Sequence, residues 1–436
     1  MDGTVAAGRR PAASTGRRKM SGMPTAREPR PGALRSRELR ELPVPAGAAA
    51  LTVLPDLRRA LSGEGPALLP VPAGTDPAPA LGAGEPLESD ADDPADPTAL
   101  VIATSGSTGT PKGVLLPATA LRASAESTHR HLGGPGHWLL AMPAHHIAGI
   151  QVLVRSLIAG TDPDAVDASD GFRPDRFAEA AQRTLTTRGR HYTALVPTQL
   201  HRLLDDASAG LEALRGFDAV LLGGAATPPA LLRRARETGV RVVTTYGMSE
   251  TSGGCVYDGV PLDGVRVRVE APSGAAESGV AESCAPGPVS LSGPTLARGY
   301  RRQAPAAAFD DGWFRTGDLG RWSGDRLEIV GRADDLIITG GVNIAPAQVE
   351  RVLGELDGVR EVCVLGVDDA EWGQAVVAAV VPADPAAPPR AEALRAAVRA
   401  EAGPAAVPKR VEFLAELPLR GPGKPDRRAL RSTLHQ

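Results

Sequence analysis

The sequence predicts an α/β protein, with a large N-terminal α/β domain carrying a β-rich lobe and a small α+β C-terminal domain. Three observations carry this. From residue 98 short apolar runs alternate with helical patterns: "ALVIAT" then 118–132, "WLLAMP" then 147–158, "YTALVP" then 198–204, "DAVLLGG" then 228–238, and "VRVVTTYG". Such alternation is the pattern of a sheet with helices on its faces. Around 264–330 it gives way to strands and turns ("GVRVRVE", "GPVSLSGP", "RLEIVGR"). From about 333 a compact unit of domain size follows: "LIITGG", a helix at 346–356, "EVCVLGV", "AVVAAVVP", a helix at 390–402 and "RVEFL".

The remaining segments fall into place around this frame. Residues 1–42 lack apolar periodicity and are rich in Arg, Pro and Gly, so a disordered tail is expected. Their basic start is not followed by an apolar run of secretory-signal length. "LTVLPDLRRALSG" (51–63) reads as an amphipathic helix, "PALLPVP" as a strand, and 71–97 as a connector. The expected division is a tail at 1–42, an N-terminal domain at 43–332 and a C-terminal domain at 333–436.

Bulk properties exclude several classes. The chain has 436 residues, 42% apolar and 23% charged, with net charge −3. Neither nucleic acid nor an anionic membrane surface is an expected partner of so balanced a chain. No apolar run approaches the roughly 18–20 residues that span a bilayer. Cys255, Cys284 and Cys363 have neither disulfide-framework nor zinc spacing and point to a reducing, cytoplasmic setting. Oligomeric state is left open, a dimer being compatible. Lysine occurs only at 19, 112, 409 and 424 in an arginine-rich chain. Two of these four, Lys112 and Lys424, lie in its most glycine-rich stretches.

Lys112 belongs to "TSGSTGTPKG" (104–113), which follows an apolar strand. A P-loop needs lysine directly after its last glycine and a hydroxyl after the lysine. Here Gly109 precedes Lys112 by three residues and Gly113 follows it, which disfavours a kinase-type loop. The stretch still suits a polyphosphate. Gly106 and Gly109 let backbone N–H groups approach, Thr104, Ser105, Ser107 and Thr108 offer hydroxyls, and Lys112 supplies a compact charge. "TTYGMSET" (244–251) also ends an apolar run, and loops beyond strand carboxyl ends converge on one crevice. There Tyr246 can stack on a base, Ser249 and Thr251 can meet phosphate, and Glu250 can hold the Mg²⁺ that accompanies ATP. "LLGGAA" offers a side-chain-free surface to a purine. Asp318, in a Thr-Gly-Asp turn, can accept ribose hydroxyls, and Arg332 can add a cation nearby. Each segment alone is also compatible with an ordinary turn or surface charge.

Together, TSGSTGTPKG, PAHHIAG, YGMSET, RTGD, GRADDLIITGGVNIAP and GPGKPDRRAL, in this order, resemble the adenylate-forming superfamily of acyl- and aryl-CoA synthetases, luciferases and peptide-synthetase adenylation domains. The match covers about 98–436; the 1–42 extension matches nothing in it. The resemblance implies a mobile C-terminal domain and two steps. A carboxylate and Mg-ATP give acyl-AMP and pyrophosphate, and coenzyme A then gives the thioester and AMP. It implies that the 104–113 loop holds the β/γ-phosphates. Tyr246, flanked by Thr245 and Gly247, packs on adenine beside Gly223, Gly224 and Ala225. Glu250 binds Mg²⁺, Thr251 meets the α-phosphate, Asp318 the ribose, and Arg332 ribose or phosphate. Lys424 bridges carboxylate and α-phosphate. Asp334 matches the hinge, Gly340 and Gly341 the coenzyme channel, and His146 the passage from carboxylate to thiol.

The compact N-terminal region, with MPAHHIAGIQVLVRSLIAGT and YGMSETSGGCVYDGVPLDGV, is most similar to the small acid–CoA ligases of menaquinone biosynthesis, and that resemblance implies a keto-acid substrate with a second carboxylate on its aromatic ring. Arg155 and the Ser252–Gly254 backbone, with Ser252 itself, are candidates for that carboxylate. Arg155 also reads as a plain helix-face arginine. Aromatic residues total only 3%, so few positions can wall an aromatic substrate. Alternatives are another small acyl- or aryl-CoA synthetase, a stand-alone adenylation protein charging a carrier, and an inactive nucleotide-binding module. The last is disfavoured by the presence of both Glu250 and Lys424.

Overall fold

The computed structural model describes residues 37–75, 81–88, 92–105, 111–206, 209–270, 286–302, 308–420 and 424–434. Most of the expected tail lies outside these residues, as do Gly106, Ser107, Thr108 and Gly109 of the phosphate loop. The tail's expected end requires correction. Leu39–Val44 is a strand paired in parallel with Ala67–Pro72, and Leu39 and Leu42 are buried. Its apolar residues are too few and too irregular to announce a strand without the neighbour they pack on.

Among the described residues the strands form four larger sheets and a two-stranded hairpin. The first sheet runs Leu39–Val44, Ala67–Pro72, Thr98–Ser105, Pro111–Pro117 and Gly299–Tyr300 in spatial order. Its Thr98–Ser105 and Pro111–Pro117 strands are antiparallel, with Thr104 opposite Lys112. The described residues of the phosphate stretch, 104–105 and 111–113, therefore lie on two paired strands, where the apolar pattern had suggested a loop leading directly to a helix. "GVLLP" is itself the returning strand.

The second sheet is the expected strand–helix alternation. Gly136–Leu140, Arg190–Leu195, Ala219–Leu222 and Val242–Met248 run parallel, Gly253–Tyr257 joins them antiparallel, and the short Val260–Pro261 forms the edge beyond it. Period-two burial puts Trp138, Leu140 and Leu221 in one core and Leu139, Val220 and Leu222 in another, so both faces are covered. Helix Ile147–Ala159 follows the first of these strands. On the other face helix Pro174–Leu185 buries Phe177, Ala181 and Thr184 at helical spacing.

The β-rich lobe pairs Arg266–Val269, Gly287–Ser292 and Trp313–Ser323, the last joined to Arg326–Arg332. The C-terminal sheet is built on Gly373–Pro382, flanked by Val359–Asp369 and Arg410–Phe413. Its "AVVAAVV" run is apolar throughout because it is sandwiched. Val376, Ala378 and Val380 pack with helices Pro346–Gly354 and Ala391–Ala402, while Val377, Ala379 and Val381 pack with helix Arg427–Leu434. Each buried valine contributes about 1.5–3 kcal/mol of apolar transfer.

Candidate active site

Three segments leave the carboxyl ends of neighbouring parallel strands and meet at one crevice, as the topology of an open sheet directs. Gly223 and Gly224 follow Ala219–Leu222. A Cβ on Gly223 would lie 2.3 Å from Thr245 Oγ1, and Gly224 sits at φ +83°. Both positions thus require glycine, and the segment stays flat. His146 precedes helix Ile147–Ala159, stacked at 4.2 Å on His145. Burial, His145 and then Lys424 lower the His146 pKa to about 4, so the imidazole is neutral near pH 7.

Val242–Met248 delivers Tyr246, whose hydroxyl donates to Asp318 Oδ2 at 2.6 Å. Burial, reinforced by Asp318, raises the Tyr246 pKa and keeps it a donor. Asp318 comes from the β-rich lobe, and its position differs from the expected turn. It lies inside the Trp313–Ser323 strand at an irregularity where Gly317 adopts φ +76°. That distortion re-aims the carboxylate out of the ladder. Burial raises its pKa against the pull of the Tyr246 hydrogen bond, Arg332 and Lys424. Arg332, directly opposite on the next strand, lies 3.5 Å from Asp318 Oδ1. The same guanidinium clamps Asp334 with bonds of 2.7 and 3.0 Å.

The turn Ser249–Thr251 places Glu250 half-buried at this crevice, where its Oε1 accepts from the Tyr300 hydroxyl at 2.8 Å. One half-buried carboxylate near the Lys112 strand fits Mg²⁺, which is commonly held by one or two carboxylates together with substrate phosphates. Two neighbouring expectations are overturned. Thr251 is fully buried, its hydroxyl donating to Gly253 O at 2.7 Å and accepting from Met248 N at 2.9 Å. It closes the turn and has no path to a phosphate; Ser249 retains slight exposure. Ser252 is also fully buried at φ +53°, its hydroxyl spent on Thr295 O at 2.9 Å, so that hydroxyl is no substrate ligand.

Arg155 lies on the helix face shared with Ile147 and Gln151 and is only 3% exposed. It donates to the Tyr257 hydroxyl at 3.3 Å and stacks 5.0 Å from Trp138. Its Nε has no hydrogen-bond partner among the described residues. Burial lowers its pKa. Gln151 Nε2 donates to Ser252 O at 2.6 Å, joining this face to the strand behind the nucleotide crevice.

A separate two-stranded sheet contributes Lys424, with Arg420 opposite. It is exposed, yet its charge acts on both His146 and Asp318. Gly340 and Gly341 form the turn between Ile337–Thr339 and Val342–Ile344, and Trp372 would collide with a Cβ on Gly340. The charge of Lys424 thus reaches both His146 and Asp318, and Asp318 faces Arg332, while Glu250 stands with Tyr300, and Gly340 and Gly341 lie on an exposed turn of the C-terminal sheet. Sequence reasoning missed Tyr300 and the pair Arg427–Glu350. Tyr300 carried a signal of the kind that exposed the lysines, being one of only 4 tyrosines.

A nucleotide crevice of this composition, with a lysine delivered by a separate small sheet, defines an adenylate-forming enzyme. The chain belongs to the AMP-binding enzyme family: residues 45–301 match that family, and residues 348–424 match the AMP-binding enzyme C-terminal domain. It is similar to a probable 2-succinylbenzoate–CoA ligase of Mycobacterium tuberculosis, 47% identical over 399 residues, 90% of this chain and 97% of the relative. Among solved structures it resembles o-succinylbenzoate CoA synthetase of Bacillus subtilis in complex with the acyl-adenylate intermediate. The TM-score is 0.68 at 26% identity, covering 93% of this chain and 89% of that one. An amide bond synthetase of Marinactinospora thermotolerans gives 0.72 at 27% identity, covering 92% and 91%.

Proposed function

We infer that the protein is an AMP-forming acid–CoA ligase that converts o-succinylbenzoate, ATP and coenzyme A into o-succinylbenzoyl-CoA, AMP and pyrophosphate in menaquinone biosynthesis. Its cytoplasmic placement follows from where ATP and coenzyme A are found. The observation that supports the reaction is the reach of the Lys424 charge to both His146 and Asp318, with Glu250 on the turn that ends the Tyr246 strand. The substrate rests on the high identity to a ligase of that name over nearly the whole chain.

In adenylation the acid's carboxylate must approach an α-phosphate of the same charge. The Lys424 ammonium bridges the two oxygens as charge concentrates between them. Asp318 receives the ribose hydroxyls, Tyr246 with Gly223, Gly224 and Ala225 encloses the adenine, and Ser249 stands at the α-phosphate. Lys112 and its hairpin hold the departing pyrophosphate. Mg²⁺ bound at Glu250 would neutralise phosphate charge. For thiolysis the unit from 333 onward turns about Asp334, releasing the Arg332 clamp and presenting Gly340 and Gly341 to the coenzyme. Neutral His146 lines the path of the thiol.

For Arg155, 3% exposed beneath Tyr257 and Trp138, to meet the ring carboxylate of the acid, the helix face it shares with Gln151 has to open as the acid binds. A guanidinium buried without a carboxylate costs several kcal/mol, and its retention is explained by an anionic ligand that supplies the missing charge.

The test is pyrophosphate release with a panel of acids. Release with o-succinylbenzoate well above that with benzoate supports the assignment. The reverse order makes the protein a benzoate-type CoA synthetase.

A further inference from the structure

We propose that Tyr300 is the positioning residue of the metal–triphosphate half of the site, acting at once on Glu250 and Lys112. The proposal rests on the reading of Glu250 as the Mg²⁺ ligand and assigns a residue that the nucleotide-binding segments do not contain.

The backbone first establishes why Tyr300 is there. Gly299–Tyr300 pairs antiparallel with Pro111–Pro117, Tyr300 lying opposite Val114. On either side, Ala297 N donates to Glu250 O at 2.8 Å and Arg301 N donates to Gly113 O at 2.8 Å. The segment 297–301 is thus stitched both to the turn bearing Glu250 and to the hairpin bearing Lys112. No other described segment has hydrogen bonds of this kind to both.

The side chain repeats the same bridge. Its hydroxyl donates to Glu250 Oε1 at 2.8 Å, and the Lys112 ammonium lies 5.1 Å from the ring centroid. Phe309 buttresses the ring edge-on at 5.6 Å. A carboxylate oxygen can only accept, so in this pair the phenol hydroxyl is the donor. Engaging one carboxylate oxygen fixes the Glu250 rotamer and leaves the other for the metal, as hydrogen-bonding partners of ligating carboxylates do elsewhere. The ring holds Lys112 by a cation–π contact on the side where the phosphates bind, so the ammonium is already in place for them. Hydroxyl and ring therefore have separable effects.

The test uses the full chain and α,β-methylene-ATP, which cannot give up its adenylyl group, with binding followed by calorimetry as Mg²⁺ is titrated. Tyr300→Phe keeps the ring, and should raise the Mg²⁺ midpoint about tenfold while leaving nucleotide affinity at saturating Mg²⁺ unchanged. Tyr300→Leu should also weaken binding at saturating Mg²⁺, by about threefold. An unchanged midpoint in Tyr300→Phe, alongside a raised midpoint in Glu250→Gln, overturns the role of Tyr300 alone. An unchanged midpoint in Glu250→Gln overturns the reading of Glu250 and the proposal with it.

Discussion

Arg427 Nη2 lies 2.8 Å from Glu350 Oε1, and this ion pair ties the chain just beyond Lys424 to helix Pro346–Gly354. The same guanidinium donates to Val364 O and reaches Asp335 at 3.7 Å, one residue past the candidate hinge. Lys424 is thus exposed, but its attachment is not loose. Arg427→Gln would leave Glu350 largely buried without its cation, at a cost of about 2–4 kcal/mol in stability. It should also slow adenylation more than thiolysis, because the lysine loses its anchor. Denaturant unfolding with the Glu350→Gln double-mutant cycle, and separate half-reaction assays, measure both effects. Equal losses in the two half-reactions would exclude a positioning role.

Lys424→Ala should reduce acyl-adenylate formation by roughly a hundred- to thousandfold, the range for loss of one preorganised electrostatic group. Thiolysis of supplied acyl-AMP should change little, since Lys424 is then turned away. Pyrophosphate release and thioester formation, assayed separately, distinguish this from a general loss of activity.

Arg155→Gln should lower kcat/KM for o-succinylbenzoate by about 2–5 kcal/mol in transition-state free energy. An analogue lacking the ring carboxylate should be used nearly as well as by the wild type. A uniform loss across both acids would make Arg155 a packing residue.

Gly247 tolerates no side chain. A Cβ there would stand 2.1 Å from Gly253 O and 2.7 Å from Gly254 Cα, both backbone atoms of the adjacent strand. Gly247→Ala should cost about 1–3 kcal/mol of stability and weaken ATP binding by displacing Tyr246. Thermal unfolding and nucleotide titration measure the two effects.

His146, with a folded pKa near 4, stays neutral where the unfolded chain takes up a proton at about pH 6.5. Above that pH both states are neutral and the group contributes no pH dependence. Between 6.5 and 4 the unfolded state binds more protons, so stability falls as pH falls. His146→Gln should flatten this part of the melting-temperature profile. An unchanged slope would show that the imidazole is not desolvated.

The α/β alternation was legible because the two hydrophobic periods are local. Trp138 and Leu139 face opposite cores of the same sheet, and that follows from the strand period alone. The hairpin carrying Lys112 was less legible, because its returning strand is short and merges with a glycine-rich loop. Asp318 was found by its motif, but its setting was misread as a turn. A strand irregularity differs from a turn only through the partner strand's register. Thr251 and Ser252 were misread for a related reason: neighbouring hydroxyls look alike in sequence, and burial separates them.

The sequence by itself determined which chemistry is present. Glycine, hydroxyl, lysine and carboxylate at fixed local spacings prescribe a site for a triphosphate and an activated acid, and those spacings survive any packing. Only the tertiary structure decided which groups are available and which pairs act together. Tyr300 meets Glu250 across 50 residues of chain, and buried Arg155 has an Nε with no hydrogen-bond partner among the described residues. Neither relationship has a local signature, because each is set by how separate strands and helices share one interior.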